Sequence, residues 1–231
     1  MSNNSFLRNR ISLTMLPLAG LLAVLGLLLR GPFGNPSTNP SAFAQAAASP
    51  NFGTAWVIIL LGSVVRIYSL MVLFAILAQT RAARWVVWAL LFSFVSEALF
   101  LSLTGILAFA APVAAKLYLQ GETGLINVLK AGFFSGPGLA LLYPSGLIGT
   151  LGSILFSIAI YRSNLPVWAG IIYALTTPLL AFAPAFSYIL ELLGGVLLLV
   201  SGTWIAVAVW RHQSASETTY RTGQPSLMGQ A

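Results

Sequence analysis

Residues 187 to 210 read SYILELLGGVLLLVSGTWIAVAVW, a stretch in which Glu191 is the only charged side chain. A helix rising about 1.5 Å per residue needs ~20 such positions to cross the hydrocarbon core of a bilayer. Runs of the same character recur at about 11–29, 54–79, 85–110, 137–160 and 166–183. A soluble chain has to clothe itself in groups that water solvates, and roughly a quarter of its residues are charged. Here 6% are charged and 58% hydrophobic, and all four acids are glutamates. A β-barrel would need segments of about ten residues alternating in polarity, which these continuous runs are not. The expected fold is all-α: a polytopic transmembrane helical bundle of about six spans, forming one domain over residues 11–211. A short tail at 1–10 precedes it, and a flexible tail is expected at 212–231.

The net charge of +7 does not point to nucleic acid, because the cations sit singly at the ends of apolar runs. In that position they orient a membrane chain. With six spans, Arg8, Arg10, Arg81, Arg84, Arg162, Arg211 and Arg221 share one side, and Arg30, Lys116, Lys130 and Glu122 the other. The excess of positive charge predicts both termini on the cytoplasmic side. Trp85, Trp88, Tyr161, Trp168, Trp204 and Trp210 fall near the cytoplasmic ends of their spans, where an interfacial aromatic belt belongs. The first span, with its basic start, could also be read as a secretory signal. The small-residue sites in AFAQAAA lie well beyond its apolar stretch, however, so it is expected to be retained.

Two connections on the far side are long. Residues 31–53, GPFGNPSTNPSAFAQAAASPNFG, read as an irregular link of polar and small residues. Within residues 112–136, Leu125, Ile126, Leu129 and Phe133 have helical spacing and predict a short helix lying in the interface. The near-side turns are tight, so the second span pairs with the third and the fourth with the fifth.

Arg66 lies in the middle of the second span, where an unpaired charge costs about 2.5–3.5 kcal/mol on insertion scales. It precedes the turn at Ala82 by about as many residues as Glu97 follows it. Both therefore stand ~23 Å from that turn, at one level on adjacent antiparallel helices, and the expectation is a buried Arg66–Glu97 pair. Ser63 and Ser69 flank the arginine, and Ser93, Ser96 and Thr104 the glutamate, at spacings that share helical faces. Glu191 has no evident basic partner. Tyr143, Pro144 and Ser145, with Thr177 and Pro178, lie at comparable depth in their own spans. Proline frees carbonyls one turn earlier, and such broken turns often line cavities, so these residues define a candidate cavity around Glu191. Ser145, Gly149, Ser153 and Ser157 recur every four residues, and Gly194, Gly195 and Gly202 stud the last span. Small residues so placed allow close helix packing, within the bundle or between copies. His212 reads as an interfacial residue.

Cysteine is absent, there is one histidine, and there is no aspartate. That removes thiolate sites, the usual metal-ligand clusters and Ser/His/Asp catalysis, so no catalytic residue, cofactor or metal is expected. The segments LLLRGPFGNPS, LAQTRAARW and LELLGGVLLLVSGTWIAVAVW give a layout that loosely resembles bacterial multi-span membrane proteins of uncharacterised role. The resemblance implies a bacterial inner-membrane location and carries over no activity or site. Beside an intramembrane enzyme, which the missing nucleophile and metal constellations disfavour, two functional readings remain. One is a small bundle that binds or moves a lipid-like or weakly polar solute through Arg66, Glu97 and Glu191. The other is a structural or regulatory subunit whose polar pair only sets helix register. The expected partners are membrane lipids, with a homo-oligomer or larger complex joined through the small-residue faces.

Overall fold

The computed structural model describes residues 12–222, so the N-terminal tail and the last nine residues lie outside the described residues. It is helical throughout, with no strand among the described residues. Six major helices carry it: α1 (Met15–Arg30), α3 (Pro50–Leu77), α4 (Ala83–Gly105), α7 (Pro137–Arg162), α8 (Val167–Phe182) and α9 (Tyr188–Thr222). Between them lie the shorter α2 (Pro40–Ala47), α5 (Ala111–Leu119) and α6 (Gly124–Leu129). Four helical stretches are long and apolar enough to cross a membrane: Pro50–Leu77, Ala83–Leu119, Gly124–Arg162 and Tyr188–Arg211. Met15–Arg30 and Val167–Phe182 are apolar but shorter.

The six major helices close a ring. α1 packs on α3, α3 on α4, α4 on α7, α7 on α8, α8 on α9, and α9 returns to α1. The closest seams use glycine. A Cβ on Gly20 would run into the backbone of Leu199, and one on Gly202 would come within 3.1 Å of the Leu16 backbone, so α1 and α9 meet nearly backbone to backbone. The most extensive contact, α4 on α7, sets Ser93 and Ser96 against Gly152 and Gly149. At the end bearing Arg81 and Arg162 the tight turns are tied together, with Thr80 Oγ1 2.9 Å from Ser163 Oγ.

The opposite end is capped, and here the structure departs from the irregular link expected over residues 31–53. Asn39 Oδ1 accepts the Ala42 N–H at 3.0 Å and opens α2, with Pro40 in its first turn. This is the Asn-then-Pro pattern of a helix start, and the surrounding Pro and Ser residues obscure it. α2 packs on α5 and α5 on α6, burying Phe43, Phe52, Trp56, Ala111, Ala114, Ile126, Leu129 and Phe133 in one cluster. The third span does not end near Ala110 but runs on through a π turn, Ile106–Ala110, into α5. Pro112 explains the widening, since it has no N–H for the Ala108 carbonyl. Helix α9 continues to Thr222 where a flexible tail is expected after residue 211, because no proline or glycine interrupts the sequence until Gly223.

Candidate functional site

Arg66 projects from α3 toward the middle of the ring. Its Nη1 lies 2.9 Å from Glu97 Oε1 on α4, and its Nη2 donates to Thr177 Oγ1 on α8 at 2.8 Å. α3 and α8 are not neighbours in the ring, so this one side chain bridges it. Tyr173, one turn before Thr177, lies near the guanidinium, and Ser63 near the Glu97 carboxylate. The Arg66 side chain is 12% exposed and that of Glu97 7%. Arg66 Nε is buried and has no hydrogen-bond partner.

A second ion pair lies toward the capped end, and it corrects the reading of Glu191 as a carboxylate without a basic partner. Arg30, the last residue of α1, grips Glu191 in the first turn of α9 with both arms. Nη1 donates to Oε1 at 2.9 Å, Nη2 donates to Oε2, and Nε is taken up by the Gly31 carbonyl at 3.2 Å. The side chains are 2% and 7% exposed. Phe33, Trp56 and Tyr188 set their rings 4.7, 5.2 and 5.9 Å from the guanidinium carbon, a partial aromatic cage for the cation. The Tyr188 hydroxyl donates to Leu27 O at 2.9 Å, tying α9 to the last turn of α1.

The cavity expected around Glu191 is not assembled from the residues proposed for it. Tyr143 is half exposed and Pro144 exposed, so both face outward from the bundle. Thr177 belongs to the Arg66 site. Ser145 donates to the Ser96 carbonyl at 3.1 Å while Ser96 donates to the Ser145 carbonyl at 2.8 Å, a reciprocal clasp between α4 and α7. Pro178 frees the Ala174 carbonyl, and Ser153 Oγ donates to it from α7 at 3.2 Å. The broken turn is thereby repaired by a neighbouring helix rather than by a ligand.

The polar stripe also divides. Ser63 stays with the ion pair, and Ser93 and Ser96 meet α7. Ser69 and Thr104 donate to their own helix, to Val65 O at 2.7 Å and Phe100 O at 2.8 Å. The small residues are spent inside the molecule. Gly149 faces Ser96 and Thr177, Ser157 faces Gly170, Gly194 faces Leu179 and Leu180, and Gly195 faces Leu27 and Val24. Sequence reasoning missed Arg30. Its signal is its place at the end of one apolar run, level with a glutamate at the start of another.

Fold and site together define a helical protein with four helices long and apolar enough to cross a membrane and, among the described residues, two buried arginine–glutamate pairs, each joining different helices. No family model matches the chain, and neither do curated proteins or solved structures.

Proposed function

We propose that the protein is a multi-pass membrane protein of six spans with both termini on the cytoplasmic side of a bacterial inner membrane. Within that membrane it serves as a non-catalytic structural or regulatory subunit whose ion pairs set helix register. Exposed Arg81, Arg84, Arg162 and Arg211 gather at one end, while Lys116, Glu122 and Lys130 are exposed in the elements of the other. This asymmetry supports the orientation. The observation that carries the functional reading is that each interior arginine spends its charge on a glutamate of another helix. Buried pairs add little net stability but specify which partners meet.

One observation favours the alternative, a bundle that binds a lipid-like or weakly polar solute. Arg66 Nε is a buried donor left without an acceptor, and an unmet donor costs about 1–3 kcal/mol that a small acceptor could offset.

The two readings part in the Arg66→Leu/Glu97→Leu double variant. On the register reading it folds and, extracted gently and examined by native mass spectrometry, carries the same bound molecules and subunits as the wild type. A folded double variant that has lost a bound molecule moves the site to the solute reading.

A further inference from the structure

At the arginine-rich end, a groove of about 320 Å³ lies between the α7–α8 turn and the flank of α9. Asn164, Leu165 and Pro166 form one wall, and Trp204, Val207, Ala208 and Arg211 the other. We propose that this groove binds the headgroup region of an anionic glycerophospholipid, with the phosphate at Arg211 and Asn164 and the upper acyl chain along Trp204 and Val207. The proposal does not depend on what the interior ion pairs do.

The α9 wall is graded. Val207 and Ala208 lie three and four residues after Trp204 and four and three before Arg211, so one face passes from an indole through aliphatic side chains to a guanidinium. That order matches a lipid entering from the hydrocarbon region and ending at its phosphate. Trp204 is 41% exposed and Val207 37%, so neither is used up by the core. The volume is near the low end of the ~300–1,000 Å³ typical of small-molecule sites, enough for a glycerophosphate but not for a whole lipid.

The opposite wall is held rigidly by the backbone. Asn164 has φ 57, and the flanking bonds, Leu165 N–H to Ile160 O and Asn164 N–H to Tyr161 O, both 3.3 Å, close α7 in a Schellman motif. Asparagine tolerates the left-handed conformation this closure needs, and its amide remains at the groove.

Charge selects the headgroup. Arg211 is exposed, and no carboxylate within residues 12–211 pairs with it, since Glu97 and Glu191 are engaged by interior arginines and Glu122 lies in the elements of the capped end. Arg162 enters the same turn with its guanidinium 5.3 Å from the Trp85 ring. Basic sites of this kind at the ends of membrane helices attract anionic headgroups. A zwitterionic headgroup would bring its own cation to a rim where Arg162 and Arg211 are both exposed.

The full chain in neutral detergent, examined by native mass spectrometry, should retain phosphatidylglycerol at least about 5-fold better than phosphatidylcholine of the same acyl chains. Arg211→Gln and Val207→Trp, the second filling the groove from an outward-facing position, should each lower phosphatidylglycerol retention by about 5-fold. Arg84→Gln, on the same rim but away from the groove, should change it less than about 2-fold. An equal loss in Arg84→Gln would reduce the effect to diffuse surface charge and overturn the proposal. So would equal retention of the two lipids, or displacement of phosphatidylglycerol by inorganic phosphate. If Val207→Trp fails to fold, Val207→Phe gives the same test with a smaller blockade.

Discussion

A guanidinium cannot neutralise itself by losing a proton in any ordinary protein setting, so Arg66 must be answered where it stands. Glu97 supplies the charge and Thr177 one further acceptor, at 2.9 and 2.8 Å. Removing either charged partner strands the other in a medium that cannot solvate it. Arg66→Leu and Glu97→Leu, made singly, should each destabilise the bundle by about 3–5 kcal/mol, whereas the double variant should recover most of that loss. Thermal unfolding in one detergent for all three chains measures the difference, and a double variant as unstable as the sum of the singles would contradict it. Thr177 is a subtler case. Thr177→Val keeps the shape but removes the acceptor that Nη2 donates to, a cost of about 1–3 kcal/mol, while Thr177→Ser keeps the oxygen and should stay closer to wild type. If the two substitutions cost the same, the hydroxyl is not the acceptor that matters.

At the scale of helices, close approach decides which elements meet, and glycine decides where approach is close. Gly20 lies against the Leu199 backbone, which cannot give way as a side-chain end can. Gly20→Val should therefore force α1 from α9 and cost about 1–3 kcal/mol or more. Gly105 is helical, with nothing within 4 Å of the added Cβ. Gly105→Ala should be neutral or stabilise by up to about 1 kcal/mol, through helix propensity alone. Unfolding of the two variants side by side tests the contrast, and equal losses would mean that composition rather than the α1–α9 seam sets the outcome.

This is also the scale at which the sequence is most and least informative. Apolar run length locates the starts of α3, α4, α7 and α9 to within a few residues, while the continuation of α4 into α5 and of α9 to Thr222 lies beyond what run length marks. Counting depth from the Ala82 turn brings Arg66 level with Glu97, since a tight hairpin fixes the offset. The same counting does not reach Arg30 and Glu191, which are 161 residues apart on helices whose adjacency only the closed ring establishes. Pro178 is misleading for a related reason: Ser153, which meets the carbonyl it frees, arrives from another helix.

Taken as one body, the ring has a charged clasp at two levels, Arg66–Glu97–Thr177 across its middle and Arg30–Glu191 at the seam where α9 closes onto α1. Both α1 and α8 are shorter than the helices beside them, yet each carries a partner of one of these clasps. Short spans held by buried polar contacts to long neighbours are tolerable where a lone short helix would mismatch the hydrocarbon thickness. The ends of the ring differ as sharply as its levels. The tight-turn end exposes four arginines, and the capped end exposes Lys116, Glu122 and Lys130 around an aromatic cluster. Orientation in the membrane should follow that difference, with the arginine end cytoplasmic. The chain has no cysteine, so single cysteines report without background. Gln79 and Thr123 are both exposed, one beside the α3–α4 turn and the other just before α6. In sealed right-side-out vesicles, an impermeant maleimide added outside should label Thr123→Cys and spare Gln79→Cys until the membrane is opened. Inverted vesicles should reverse the order. Labelling of both positions from one side would remove the six-span arrangement, because an odd number of crossings between residues 79 and 123 is what places them on opposite faces.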